Sequence, residues 1–185
     1  MSINITEGNS LREYNITVYS ENSVGLSGRI TGIFTRRKIN IESLNTSPSE
    51  ISGIYRFTIL ICQSYCVTQK LLRQIEKLTE VIKVYCHTDE QVVWQELALY
   101  KIPAQATKAA RVDLEKILRI YGTRAIALED NYTILETTGQ RQESKKMLEV
   151  LSPYGLIEFV RTARIAIIKE SSGFIEKLRE FEAGS

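Results

Sequence analysis

The sequence predicts an α+β protein of two units, the second smaller than the first, each with the element order βαββαβ. Two observations predict this class. Short segments alternate apolar and polar residues with the period of half-buried strands, and other segments repeat apolar residues at helical spacing. After a polar break at residues 87–90 the same succession begins again. The length of 185 residues and the 43% apolar content allow one or two compact cores.

The first unit is predicted over residues 12–88. Its first strand is indicated by the alternation of Tyr14, Ile16 and Val18 with Asn15, Thr17 and Tyr19. Three further strands are predicted at 39–44, 55–61 and 82–86. Two helices are predicted from apolar stripes, at Leu26, Ile30, Ile33 and Phe34 and at Val67, Leu71, Leu72, Ile75 and Leu78. This order places two helices on one face of a four-stranded antiparallel sheet, the ferredoxin-like arrangement.

The second unit is predicted over residues 92–170. A strand at 97–102 ends at Pro103, and a hairpin at 125–135 turns at residues 129–131. Two helical stripes are expected, at Val112, Leu114, Ile117, Leu118 and Tyr121 and at Met147, Leu148 and Leu151. A last strand is predicted at 156–160, and residues 171–185 are expected to form a frayed or weakly helical tail.

The turn at residues 21–30 joins the first strand directly to the first helix. Such a turn leaves backbone N–H groups at the positive end of a helix dipole, which suits a carboxylate or a phosphate. Gly25 allows a ligand to approach the backbone closely, and Asn22 is expected to cap the helix or to reach the ligand. A capped helix start with nothing bound is the alternative.

Composition argues against several function classes. The 24 basic and 22 acidic residues give a net charge of +2, which provides little affinity for phosphate backbones or anionic membranes. The order βαββαβ also occurs in RNA-recognition modules, but the residues around Tyr55 and Phe57 lack the basic, glycine-rich pattern of those modules. We therefore expect no nucleic-acid partner.

No catalytic motif stands out, and we expect no enzymatic activity of the chain itself. Cys62, Cys66, Cys86 and His87 are of the residue types that bind zinc, but small buried cysteines are the favoured interpretation. Cys62 and Cys66 are predicted on either side of the boundary between a strand and a helix. The N-terminal residues lack a signal-peptide pattern and no apolar run approaches membrane-spanning length, so a cytoplasmic protein with reduced thiols is expected.

Two sequence blocks carry a resemblance to a known family. Residues 21–34 read ENSVGLSGRITGIF, and residues 36–44 read RRKINIESL. These blocks resemble, at unchanged spacing, the motifs E-N-x-x-G-x-x-x-R-I-x-G-L-F and R-R-G-Y-N-I-E-S-L of the ACT-domain small subunits of acetolactate synthase. The second block is the more specific, and the resemblance extends from about residue 14 to residue 168.

The resemblance implies a non-catalytic regulatory subunit that activates a catalytic subunit and confers feedback inhibition by valine or another branched-chain amino acid, leucine or isoleucine. Thiamine diphosphate, magnesium and FAD are expected only in that catalytic partner, and no cofactor is expected in this chain. The family's ACT domains pair as homodimers with effector sites at the interface. By this resemblance the effector would be held by Asn22, Val24, Gly25 and Leu26 of one protomer and by Asn40 and Ile41 of its partner.

The residues themselves agree with such a ligand, because helix-start N–H groups suit its carboxylate, and Val24, Leu26 or Ile41 would supply an apolar pocket. Without the resemblance, Asn40 is equally well a strand residue facing solvent. The chain departs from the family pattern at Val24, Ser27, Lys38 and Ile39. An amino-acid sensor of the ACT type that acts on another enzyme or on a transcription factor is the alternative function.

Overall fold

The computed structural model describes residues 10–105, 111–170, 176 and 179. The described residues form two compact units. The first comprises the residues up to Val93 together with those from Arg164 onward, and the second is Trp94–Ala163. The domains predicted from the sequence are residues 12–88 and 92–170. The structure groups the residues after Ala163 with the first unit.

The first unit contains a four-stranded antiparallel sheet in the order β2-β3-β1-β4. Its strands and helices follow the predicted order: β1 Arg12–Glu21, α1 Leu26–Arg36, β2 Ser43–Pro48, β3 Ile54–Gln63, α2 Tyr65–Ile75 and β4 Val81–Thr88. The predicted stripe of α1 is fully buried, because Leu26, Ile30, Ile33 and Phe34 all join the core with the inward residues of the strands. The fold class predicted from the sequence is confirmed.

The second unit repeats the arrangement with its own sheet and core. Its elements are β5 Val92–Pro103, α3 Arg111–Ile120, β6 Arg124–Leu128, β7 Tyr132–Gly139, α4 Arg141–Leu151 and β8 Glu158–Arg161. The sheet has five strands: the order along it is β6-β7-β5-β8, and β9 (Ile165–Ile168) also pairs with β5, which begins in the first unit. Tyr100, Ile102, Leu135, Met147 and Leu151 are fully buried in the core. Ile117, Leu118 and Tyr121 of the predicted α3 stripe pack against that core, whereas the side chains of Val112 and Leu114 lie outside the described ones.

Two buried polar side chains of the second unit, Tyr100 and Glu96, have partners inside it. The Tyr100 hydroxyl donates to the Ser144 carbonyl at 2.8 Å, and burial raises the pKa of Tyr100 to about 12. Glu96, whose side chain is 1% exposed, is paired with Arg161 at 3.2 Å and Arg141 at 3.4 Å. A carboxylate this deeply buried requires such partners, because desolvation penalises an isolated charge by several kcal/mol.

A ninth strand, β9 Ile165–Ile168, was not predicted. With Arg164 it forms a return segment that hydrogen-bonds to side chains of the first unit's sheet. The Arg164 guanidinium donates to Asn15 Oδ1 at 3.2 Å, and the Arg56 guanidinium donates to the Ala166 carbonyl. Strand β1, predicted as half-buried, is buried on both faces: Asn15 is 1% and Thr17 4% exposed. The tail predicted at 171–185 lies outside the described residues except at 176 and 179.

None of the described helices is long and apolar enough to cross a membrane.

Candidate functional site

The turn between β1 and α1 presents its backbone to solvent. Gly25 is the N-cap residue of α1 and has φ of +81°, in the left-handed region that favours glycine. A Cβ built on Gly25 meets no atom within 4 Å, so the space in front of the turn is open. Val24 is completely exposed, with a relative accessibility of 101%, and Asn22 is exposed as well. An apolar side chain so exposed at a helix start is available to a ligand or a second chain.

Two residues that sequence reasoning did not identify hold the turn in place. The Glu21 N–H donates to the Glu80 carbonyl at 2.9 Å, and the Asn22 N–H donates to the Gly53 carbonyl at 3.2 Å. The Glu80 carboxylate also pairs with Arg29 of α1, and this hydrogen bond lowers the pKa of Glu80. The turn is thus tied to the residue before β4 and to the β2–β3 connection. Gly53, with φ of +83°, is the only sequence signal of this support.

The first turn of α1 retains backbone donors for an anion. Helix geometry leaves the N–H groups of residues 25–28 without intrahelical acceptors, and only that of Leu26 bonds locally, to Ser23 O at 3.3 Å. No side chain caps the helix, and no acidic residue lies in its first turn. Of the two roles expected for Asn22, capping α1 is wrong, because the chain makes one more turn and Gly25 takes the cap position; contact with the ligand stays a prediction. The donors of Gly25, Ser27 and Gly28 lie at the positive pole of the helix dipole, which favours an anion.

Leu26 differs from the other predicted site residues. Its side chain is 2% exposed and packs in the core of the first unit. Of the three alternatives for an apolar pocket, Val24, Leu26 or Ile41, the side chain of Leu26 is therefore excluded, and its expected backbone role stays a prediction. Val24 is the apolar side chain that the turn itself offers.

The second predicted half of the site, Asn40 and Ile41, lies in an irregular segment and not in a strand. The strand expected at 39–44 begins at Ser43 instead. Helix α1 ends in a Schellman motif, in which the Lys38 N–H bonds Thr35 O and the Ile39 N–H bonds Phe34 O, each at 3.0 Å. Asn40 is exposed, whereas Ile41 is half-buried and packs against the core.

Within one chain the two halves are held apart. The strand register pairs Glu21 with Ile54, next to the turn, and pairs Ser43 with Leu60, next to residues 40–42. The positions on β3 are six residues apart, which corresponds to about 20 Å along a strand. The turn and the segment 40–41 therefore lie at opposite ends of the same sheet, and one protomer does not bring them together.

The cysteines do not form a metal site in the described structure. Cys62 and Cys66 are exposed, which corrects the expectation that they are small buried residues, and Cys86 is half-buried. Burial raises the pKa of Cys86 to about 12, so its thiol stays protonated. Over residues 10–105 and 111–170, no group of three or more His, Cys, Asp or Glu side chains converges as metal ligands do.

The fold of the first unit and its solvent-facing glycine turn define an ACT-type module. Residues 10–83 match the family model described as the AHAS small subunit-like ACT domain, and residues 95–170 match the model of the small subunit of acetolactate synthase. The acetolactate synthase small subunit of Aquifex aeolicus is 32% identical over 88% of this chain and 84% of its own length. The chain belongs to the family of acetolactate synthase small subunits.

Two further comparisons agree. Acetolactate synthase small subunit 2, chloroplastic, of Arabidopsis thaliana is 32% identical over 89% of this chain, which spans only 34% of that longer protein. The crystal structure of the acetolactate synthase small subunit from Thermotoga maritima superposes with a TM-score of 0.77 at 25% identity, covering 86% of this chain and 99% of that one. The family resemblance predicted from the sequence is confirmed in both units.

Proposed function

We propose that this protein is a regulatory, non-catalytic subunit of acetolactate synthase that binds the catalytic subunit, raises its activity and makes it sensitive to feedback inhibition by valine or a related branched-chain amino acid. In this proposal thiamine diphosphate, magnesium and FAD belong to the catalytic partner. Membership of the family supports the association with acetolactate synthase, and the geometry of the turn supports the binding of an amino-acid effector.

The proposal of a shared effector site rests on one observation: the turn and the segment 40–41 lie at opposite ends of the sheet within one chain. The turn offers the N–H groups of Gly25, Ser27 and Gly28 to a carboxylate and Val24 to an aliphatic side chain. Asn40, whose side-chain amide suits an ammonium or a carboxylate, lies about 20 Å away at the other end of the sheet. A second protomer is needed to complete one site.

The free edge of β2 supports such a pairing. In the described part of the chain, β2 pairs only with β3 and forms one edge of its sheet. If two copies join antiparallel through β2, Ser43 of each copy is placed beside Pro48 of the other. Pro48 pairs with Tyr55 near the turn end of the sheet, where Glu21 pairs with Ile54. Two-fold symmetry thus carries residues 40–41 of one protomer toward the turn of its partner.

Reconstitution tests the proposal. The purified protein is titrated into its cognate catalytic subunit, and acetolactate formation is measured with and without valine, leucine and isoleucine. We expect the activity to rise on addition of the protein and the reconstituted enzyme to be inhibited by at least one of the three amino acids. No change in activity and no acquired inhibition would refute the proposal.

Sedimentation of the protein alone tests the shared site. We expect a dimer, and we expect the effector to stabilise it because a site built from two chains links binding to association. A pull-down that recovered another enzyme or a transcription factor, and no catalytic subunit, would favour the amino-acid sensor instead.

A further inference from the structure

Arg164 is the largest fully buried side chain in the described structure, at 2% relative accessibility. Its guanidinium donates to Asp89 Oδ1 at 2.8 Å, to Asn15 Oδ1 at 3.2 Å and to Glu13 Oε2 at 3.2 Å. Asn15 in turn donates to the same Asp89 oxygen at 2.7 Å. A buried arginine needs such a set of acceptors, and removing it would leave the acceptors unsatisfied.

These contacts join the two points at which the chain leaves and re-enters the first unit. Asp89 lies in the short 3-10 turn after β4, a few residues before the chain passes into the second unit at Trp94. Arg164 is the first residue after the chain returns from it. The Arg164–Asp89 ion pair therefore ties the exit of the chain to its return. Lys169 reinforces the tie, since its N–H donates to Gln91 O at 3.0 Å and its ammonium to Glu90 O at 2.8 Å.

The same residue is bonded to the segment that carries the second half of the proposed effector site. The Arg164 backbone N–H donates to Ser43 Oγ at 3.0 Å. Ser43 is the first residue of β2 and follows residues 40–42 directly, and the Glu42 N–H is fixed to Leu60 O at 2.9 Å. One hydrogen bond, from the Arg164 N–H to Ser43 Oγ, therefore links residues 40–42 to Arg164, which ties together the two connections to the second unit.

We propose that Arg164 and Ser43 couple effector binding at Asn40 and Ile41 to the second unit, so that the effector inhibits through this hydrogen bond. This inference rests on the proposed function and adds the route by which the site acts. An effector changes activity only if it binds two states of the protein with different affinity, and residues at the ends of elements absorb such changes. Arg164 acts here as a positioning residue and does not contact the effector.

The test separates effector binding from inhibition. Ser43→Ala and Arg164→Met are each compared with the wild-type protein in two measurements: the valine dissociation constant of the regulatory subunit by calorimetry, and the inhibition of the reconstituted enzyme at saturating valine. We expect the dissociation constant to change less than about threefold. The inhibition factor, defined as activity without valine over activity with it, should fall by roughly 2- to 30-fold, the range that mutations on coupling routes produce.

Ser47→Ala is the matched control. Ser47 lies on the same strand and the same face as Ser43, is exposed, and has no hydrogen bond to the described return segment. It should keep both the affinity and the inhibition of the wild type. Ser43→Ala removes one hydroxyl from a half-buried position and is expected to fold, so the test stands even if Arg164→Met unfolds the first unit.

Three outcomes decide against the inference. Unchanged inhibition in Ser43→Ala would show that the bond does not transmit the effector signal. Parallel loss of affinity and inhibition would show that Ser43 and Arg164 only shape the binding segment. If the wild-type protein neither activates nor confers inhibition by valine, leucine or isoleucine, the proposed function itself fails, and the inference with it.

Discussion

Replacing Lys38 by glycine is expected to stabilise the protein. Lys38 is the one residue other than glycine with positive φ, +55°, in the described chain, and it occupies the position of a Schellman motif where glycine is preferred. Left-handed backbone costs a residue with a side chain about 1–2 kcal/mol. Glycine adds freedom to the unfolded chain, which offsets about 0.4–1 kcal/mol of that gain. The expected net stabilisation of Lys38→Gly is about 0.5–1 kcal/mol.

Urea unfolding followed by circular dichroism measures this difference, with Lys38→Ala as the control. The alanine variant removes the same exposed side chain and its charge near the helix C-terminus but retains the left-handed strain. The midpoint should therefore rise in the order Ala, Lys, Gly with an unchanged slope, and the melting temperature of Lys38→Gly should exceed that of the wild type by about 1–4 °C. A glycine variant no more stable than the alanine variant would refute the reasoning, because the backbone strain would then be absent.

Three further predictions concern the turn and the thiols. Gly25→Asp places a negative charge in the open space before the helix donors and should abolish valine binding measured by calorimetry. Gly122→Asp, which makes the same substitution at a glycine of positive φ (+60°) in the second unit, should leave valine binding unchanged. Unchanged valine affinity in Gly25→Asp would show that the turn is not part of the site. A thiol reagent at pH 8 should label Cys62 and Cys66 of the folded protein quickly and Cys86 only on unfolding, since burial raises the pKa of Cys86 to about 12. Rapid labelling of all three thiols would contradict the burial of Cys86. Because the folded pKa of Cys86 lies above its unfolded value of about 9, the free energy of unfolding should fall between pH 9 and 12, and a Cys86→Ala variant that lost as much stability over this range would exclude the thiol as a cause.

The order of elements in both units could be predicted because each strand and helix has its own periodicity. In α1 the four residues of the predicted stripe are the four that the structure buries. The hairpin at residues 129–131 also forms where polar turn residues indicate it, with the Glu129 N–H bonded to Tyr132 O at 2.9 Å. These features depend on residues close in sequence, where local pattern and tertiary packing agree.

The start of β2 was misplaced for a physical reason. Ile39 and Ile41 alternate with polar residues as a strand would, but their burial has another cause. Ile39 follows the left-handed Lys38 and is buried in the same core as Phe34, as expected for the residue after the left-handed position of a Schellman motif. Apolar alternation over three residues does not distinguish this helix ending from a strand. The correction matters for function, because it leaves Asn40 in an irregular, exposed segment that is able to meet a ligand.

The helix-free face of the first sheet shows what sequence periodicity misses. The alternation along β1 predicts Asn15 and Thr17 on a solvated face, yet they are only 1% and 4% exposed, and Thr58, which pairs with Thr17, is only 5% exposed. The polarity of Asn15 instead matches a buried arginine: Arg164 binds Asn15 across a separation of 149 residues, and no local pattern reports such a contact. Asn15 of β1 is thus a binding partner of the returning chain. The Arg164 and Ala166 hydrogen bonds that hold the return segment to this sheet face are of a kind that water can replace when a segment moves away. The return segment is therefore the place where we expect effector-dependent changes in hydrogen exchange, while α1 and β1 remain protected.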